Sequence, residues 1–139
     1  MAIKPNTMSD PTVAGSPPKR EKINIFKLGR LWCFKHFFDD REIFRELYEY
    51  YNPDKYRFEL PTVGERNKIM KYLYRKGFEL VLIEDPSEYT VTLEVFKKYA
   101  SILKNSIDND VKGNLRIFVM TDMAAVEGAI TAGAKKYKA

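Results

Sequence analysis

The chain has 139 residues, 45% of them hydrophobic and 14% aromatic, which fits one folded domain with an ordinary core plus a tail. No apolar run reaches the roughly 18 residues that a spanning helix needs, and the N-terminus lacks the apolar stretch of a signal peptide. The single cysteine, Cys33, cannot form an internal disulfide, so the sequence predicts a protein of a reducing compartment, the cytoplasm.

The net charge of +5 is concentrated near the N-terminus. Residues 1–30 hold six Lys/Arg and two acids, a net charge of +4, whereas residues 31–139 hold eighteen and seventeen, a net charge of +1. A nucleic-acid-binding domain usually carries a basic face across its fold. The distribution therefore favours a protein partner and leaves nucleic-acid binding mainly to the basic tail.

In chain order, residues 1–22 hold four of the seven prolines and are predicted to be a disordered basic tail. Residues 23–139 are then a single α/β domain. Its first segment, residues 23–38, is rich in large apolar side chains, and the part from residue 31 onwards is predicted to be a strand. Asp39 and Asp40 offer capping oxygens to an amphipathic helix. That helix is predicted to carry these residues inward: Ile43, Phe44, Leu47, Tyr48 and Tyr51.

Further along, the alternating residues 55–60 predict a half-exposed strand. Thr62 and Glu65 predict a capping box for a helix that ends at Gly77. The remaining predicted elements are a strand over 78–83, a helix over 93–107, a polar loop over 108–114, a strand over 115–120, and a last helix that Thr121 or Asp122 caps and that ends near Gly133.

This order alternates strands with helices and shows no internal sequence repeat. Strict alternation predicts a flavodoxin-like parallel sheet with helices on both faces. The β-prone residues 89–92 favour an alternative. If they pair back on residues 78–83, the pattern becomes β-α-β-β-α-β, a ferredoxin-like antiparallel sheet.

Several sequence blocks occur in the order of a known family. Asp39-Asp40 precede a helix, Gly64-Glu65 open the next one, and Glu84 ends an apolar run at an interval of 44 residues after Asp40. Residues 93–97 then read Leu-Glu-Val-Phe-Lys, and Thr121 follows the apolar run 117–120. Together these blocks, across residues 37–137, resemble the receiver domain of bacterial response regulators.

The resemblance implies an acidic pocket of Asp39, Asp40, Glu84 and Thr121, in which Asp39 and Asp40 bind Mg²⁺. Glu84 stands where the family has its phosphorylated aspartate, and the chain ends at Ala139, before the family's lysine. The sequence therefore indicates a degenerate pseudo-receiver, a non-catalytic regulatory domain with no required cofactor. It would bind a protein partner or a second copy of itself. On a plainer interpretation the acids only cap helices and turns.

Two other binding functions are compatible with the sequence. Arg57, Arg116 and Phe118 would contact nucleic acid if they lie on an open face of the ferredoxin-like sheet. The segment 23–38 combines Lys27, Arg30 and Lys35 with aromatic residues and would suit a membrane surface. Catalysis is not expected, because the sequence lacks a metal-ligand cluster, a nucleophile–base pair and a phosphate loop. Cys33 and the only histidine, His36, are expected to be packing residues.

Overall fold

The computed structural model describes residues 20–138. The N-terminal part of this range contributes five strands and two helices. In chain order they are β1 (Glu21–Leu28), β2 (Leu31–Phe34), α1 (Arg41–Leu47), β3 (Tyr51–Asn52), β4 (Arg57–Leu60), α2 (Val63–Arg75) and β5 (Phe78–Ile83). The strands form one sheet in the order β3-β4-β2-β1-β5.

The C-terminal part contributes four strands and two helices. They are β6 (Thr90–Glu94), α3 (Ala100–Lys104), β7 (Ser106–Lys112), β8 (Leu115–Met120), α4 (Met123–Thr131) and β9 (Lys135–Lys136). These strands form a second sheet in the order β7-β8-β6-β9. All three of its pairings are antiparallel, whereas in the first sheet β1 and β5 are parallel.

The two sheets lie face to face, with helices on the outside. Between α1, α2 and the first sheet lies a core that includes Ile25, Phe34, Leu47 and Leu73. A second core, with Val91, Phe118, Ile102 and Val126, lies between the second sheet and α3 and α4. A third, smaller cluster of Phe26, Cys33 and Ile107 joins the two sheets. We call this contact between the sheets the seam.

Polar side chains of the first sheet also cross the seam. Asn24 Nδ2 donates to the carbonyl of Thr121 at 3.0 Å, and Lys35 Nζ donates to the carbonyl of Ser106 at 3.1 Å. Arg57 Nη1 donates to the carbonyl of Ile107 at 2.8 Å. These bonds satisfy one buried and two partly buried side chains and link the two sheets across the seam.

The predicted flavodoxin-like parallel sheet is wrong. Two tight hairpins make most of the pairing antiparallel, because Gly29-Arg30 joins β1 to β2 and Gly113-Asn114 joins β7 to β8. Gly29 has φ +66° and Gly113 has φ +60°, left-handed values that glycine adopts without strain and that two-residue hairpin loops need. The sequence signals for these turns are Gly-Arg and Gly-Asn, each between two apolar segments.

The ferredoxin-like alternative is wrong as well, in the form in which it was predicted. Residues 89–92 do not pair back on β5, because β6 belongs to the second sheet and pairs with β8 and β9. A β-α-β-β-α-β order does occur, but from other strands, over β6 to β9.

The predicted helix over 93–107 is also wrong, since only Ala100–Lys104 is helical. Its beginning lies in β6, where Thr90, Val91 and Thr92 favour a strand, and residues 108–112 of the predicted loop belong to β7. Thr62 is the N-cap of α2 as predicted, because its Oγ1 accepts from the amide of Glu65 at 3.0 Å; the Glu65 carboxylate completes the pair by accepting from the Thr62 hydroxyl at 3.3 Å instead of from its amide. Asp122, rather than Thr121, caps the last helix, with Oδ1 accepting from the amide of Ala125 at 2.7 Å.

The predicted tail lies largely outside the described residues, which begin at Arg20. Its last two residues, Glu21 and Lys22, already belong to β1 and pair with Phe78 and Glu79. Among the helices within residues 20–138, none is long and apolar enough to cross a bilayer.

Candidate binding groove

A groove of about 830 Å³ opens on the helix-covered side of the first sheet. Three elements line it: the loop after β2 (residues 35–39), one face of α1 with the turn that follows it, and the β3–β4 hairpin. We call this cavity the aromatic groove. Besides the loop residues, its lining consists of Arg41, Phe44, Arg45, Tyr48, Tyr51, Tyr56 and Phe58.

The face of α1 that lines the groove is not the face that fills the core. Ile43 and Leu47 are buried against the sheet. Arg41, Phe44, Arg45 and Tyr48, spaced i, i+3, i+4 and i+7, form a second stripe that borders the cavity. Tyr48, predicted to point inward, is 64% exposed. The sequence signal was present, since the apolar residues of this helix cover more than one face.

Packed aromatic rings form the floor of the groove. The ring of Phe44 lies 5.5 Å from that of Tyr51 and 5.9 Å from that of Phe58, and Tyr51 lies 5.0 Å from Phe58. Phe58 in turn stacks on the buried Phe34 at 4.9 Å. Because Phe58 belongs to the core and Tyr51 packs against it, this part of the floor has its shape before any ligand binds.

The rim carries aromatic side chains that the fold does not use. Phe37 is 83% exposed and Tyr56 is 65% exposed. Tyr56 also has φ +56°, a left-handed conformation that is unusual for a bulky residue. It follows a turn in which Asn52 Oδ1 accepts from the amides of Asp54 and Lys55 at 2.9 and 3.3 Å. Strained residues of this kind cluster at functional sites.

The charge of the groove is mainly positive. Arg41 and Arg45 lie one turn apart on α1, and neither forms an ion pair with a carboxylate within the described range 20–138. Lys35 is committed to the carbonyl of Ser106, and burial lowers the pKa of its ammonium group. Asp39 is the one acid in the described lining. The cations that remain for a ligand are therefore Arg41 and Arg45.

His36 lies in the inner wall of the groove. Its ring is 4.9 Å from that of Phe38 and 5.3 Å from that of Phe78, and Nε2 is 3.4 Å from a carboxylate oxygen of Glu21. Burial lowers the pKa of His36 below its usual 6.5, although Glu21 opposes this. Glu21 is largely exposed, so its charge is screened by solvent and burial dominates. His36 is therefore a neutral packing residue at neutral pH.

The four residues of the predicted acidic pocket do not come together. Asp40 caps α1, with Oδ1 accepting from the amide of Glu42 at 2.9 Å, and Asp39 lines the aromatic groove. Glu84 follows β5 at the opposite end of the first sheet, because β2 and β5 run in opposite directions. Thr121 lies at the seam, where its carbonyl accepts from Asn24. No cluster of three or more metal-ligating side chains occurs within residues 20–138.

The three residues proposed for nucleic acid do not lie on an open sheet face, which corrects that interpretation. Phe118 is 1% exposed and lies beneath the helices of the second sheet. Arg57 is buried at the seam, where it also contacts Glu59 at 2.8 Å. The guanidinium of Arg116 stacks on Tyr99 at 3.9 Å from the ring centroid. Within residues 20–138 neither sheet has an open face, because each packs against the other sheet on one side and against helices on the other side.

The segment 23–38 is likewise not presented to a membrane surface. It forms β1, β2 and the loop that follows them, and Trp32 is 6% exposed within the core of the first sheet. The guanidinium of Arg66 lies 4.5 Å from the Trp32 ring. Cys33 is fully buried, as predicted, and burial raises its pKa to about 11.

Comparisons with known proteins found no match: no family model, no curated protein and no solved structure matches the chain.

Proposed function

We propose that this chain is a non-catalytic regulatory domain that binds a partner protein in the aromatic groove. The partner supplies an acidic segment with aromatic or aliphatic anchor side chains. One observation carries the proposal: Arg41 and Arg45 flank the exposed rings of Phe44 and Tyr48 over a preformed apolar cavity. We place this interaction in the cytoplasm, a reducing compartment in which a lone cysteine stays reduced.

The apolar lining of the groove is the reason for proposing that the partner has aromatic or aliphatic anchor side chains. A cavity of about 830 Å³ is within the range of roughly 300–1,000 Å³ that ligand sites occupy. Exposed Tyr, Phe and Arg side chains around a concave centre are also the residues that dominate binding energies at protein interfaces. Phe37, at 83% exposure, loses the most water-accessible ring surface when such a site closes.

The two arginines support the acidic character of the partner. Like charges one helical turn apart destabilise a helix by about 0.2–0.5 kcal/mol. A carboxylate placed between Arg41 and Arg45 reverses that effect and adds charge-assisted hydrogen bonds.

The backbone conformation of Tyr56 supports the view that this residue is kept for binding rather than for stability. A left-handed backbone costs a non-glycine residue about 1–2 kcal/mol. Asparagine tolerates this conformation better, so a tyrosine there gives up stability at the mouth of the groove. A contact between its ring and the partner accounts for its presence.

The test measures fluorescence anisotropy with a labelled peptide in which glutamates flank leucine and phenylalanine anchors. Two control peptides replace either the anchors by alanine or the glutamates by lysine. We expect the first peptide to bind at least about tenfold more tightly than either control. Arg41→Gln combined with Arg45→Gln removes that preference. Lys68→Gln with Lys71→Gln, which removes two charges from the exposed face of α2, preserves it.

Tyr56→Asn separates binding from folding. We expect the variant to be at least as stable as the parent and yet to bind the acidic peptide less tightly. Equal affinity for all three peptides contradicts the proposal. So does tighter binding of a labelled oligothymidine that depends on Arg41 and Arg45, because the site would then be a nucleic-acid groove.

A further inference from the structure

The outer edge of β5 is an exposed sheet edge without the usual protection. Within residues 20–138 this six-residue strand pairs only with β1. Five of its side chains are apolar, Glu79 is its one charge, and Leu82 is exposed. Natural sheets shield such edges with charges, prolines, bulges or shortness, because an open edge recruits further strands.

The other three sheet edges in the described range are shielded in those ways. β3 and β9 contain only two residues each. β7 has an irregular register between Ser106 and Asp108 and carries Asp110 and Lys112. The contrast singles out β5 as the unshielded edge among these four.

We propose that β5 pairs antiparallel with β5 of a second copy of this chain, across a two-fold axis perpendicular to the sheet. The first sheet of one copy and the first sheet of the other then form one continuous sheet. Such an interface is self-complementary, since the same surface serves both copies. A two-fold axis of this kind keeps the helix-covered faces on the same side, so paired residues point to the same face.

The ends of the strand show why the second copy fits. Arg75 and Lys76 precede β5, and Glu84 and Asp85 follow it. All four side chains are exposed, and none forms an ion pair within the described range 20–138. Antiparallel pairing brings the basic end of one strand beside the acidic end of the other, at both ends of the interface.

The side chains of the strand fit the same arrangement. Phe78 and Leu80 pack towards α2, whereas Ile83 faces the seam. With the axis at Leu80, Phe78 lies opposite Leu82 of the partner subunit. Beside this position a groove of about 410 Å³, lined in part by Met70, Tyr74 and Leu80, runs between α2 and β5. The exposed Leu82 of the partner subunit enters it and loses its contact with water.

The first experiment measures the mass of the full chain by sedimentation equilibrium over a range of concentrations. We expect a dimer, and Leu82→Lys should raise its dissociation constant at least about tenfold by adding a charge to the apolar edge. The matched control is Val111→Lys on β7, which is similarly exposed and should remain dimeric. Thermal melts confirm that both variants fold.

The second experiment tests the antiparallel arrangement by charge reversal. Lys76→Glu and Glu84→Lys alone should each weaken the dimer about threefold or more, because each places like charges together at both ends. The double variant should return to within about twofold of the parent. Additive weakening in the double variant overturns the arrangement.

A monomer at every concentration overturns the proposal. So does a dimer that is unaffected by Leu82→Lys. A chain that dimerises only after residues 1–19 are deleted overturns it as well, because that segment would then be the occupant of the edge. Peptide binding in the aromatic groove is measured separately and does not depend on this result.

Discussion

The two halves of the molecule have the same connectivity and differ by one strand. From β2 to β5 the first half runs β-α-β-β-α-β, and from β6 to β9 the second half does the same. The strand order β7-β8-β6-β9 of the second sheet matches β3-β4-β2-β5 in the first, apart from β1. The sequence shows no repeat, so the shared arrangement is one of topology.

The extra strand, β1, determines the outer edge of the first sheet. β1 lies between β2 and β5, and its parallel pairing makes β5 a long outer strand. The position equivalent to β5 in the second sheet is β9, with only two residues. The aromatic groove also belongs to the first half. The first half therefore differs from the second in two ways: it contains the aromatic groove, and its outer strand next to β1 is six residues long.

The largest expected effects come from truncating one buried ring in each half. Phe58→Ala and Phe118→Ala should each cost about 3–5 kcal/mol in the free energy of unfolding. If the seam couples the halves, both variants shift a single transition that Trp32 fluorescence and circular dichroism report alike. The exposed Phe37→Ala is the control and should change stability by less than about 0.5 kcal/mol. If Phe118→Ala leaves the unfolding transition reported by Trp32 fluorescence unchanged, the two halves unfold independently.

A smaller effect is expected from cutting the seam at Arg57. Burial opposes the charge of this residue, but the hydrogen bond with Glu59 and the nearby Asp108 prevail and raise its pKa, so it stays charged. Arg57→Met should cost about 2 kcal/mol, measured by urea denaturation, because the Ile107 carbonyl loses its donor and Glu59 loses its charged partner while keeping the hydrogen bond from Asn52 Nδ2. Arg116→Met, in the second sheet, removes a guanidinium whose Nε has no hydrogen-bond partner within residues 20–138, so this variant should cost less. Equal losses would contradict a specific role at the seam.

The smallest effect is a pH dependence that arises only in the first half, which contains the single histidine. Because burial lowers the pKa of His36 in the folded chain, the unfolded chain takes up the proton more readily. Stability should therefore fall as the pH drops from about 7 to about 5, where few carboxylates titrate. His36→Phe should flatten this part of the stability profile. An unchanged slope in that variant would assign the dependence to other groups.

Local signals in the sequence predicted individual elements better than their pairing. Residues 78–83 and 115–120 are strands as predicted, and Thr62 caps the start of α2. These features depend on neighbouring residues. The antiparallel pairing of β6 with β8 depends on contacts between distant segments, and periodicity does not encode them.

The candidate site escaped prediction for a related reason. Arg41, Phe44, Arg45 and Tyr48 are adjacent on a helix, and their spacing was available. The exposure of these side chains could not be predicted from the sequence. It depends on Ile43 and Leu47 filling the core and on the hairpin that brings Tyr56 to the rim. The resemblance to a receiver domain, with its parallel sheet, predicts that Asp39 and Glu84 lie together. The hairpin at Gly29 places them at opposite ends.

The buried position of Cys33 allows its reactivity to report how often the two sheets separate. Its thiol is enclosed between the sheets with Phe26 and Ile107, and its high pKa keeps it unreactive there. A thiol reagent can modify it only when the two sheets part, so the rate of modification counts those openings. The same enclosure leaves cysteines introduced at the surface as the preferred sites of labelling in the folded protein.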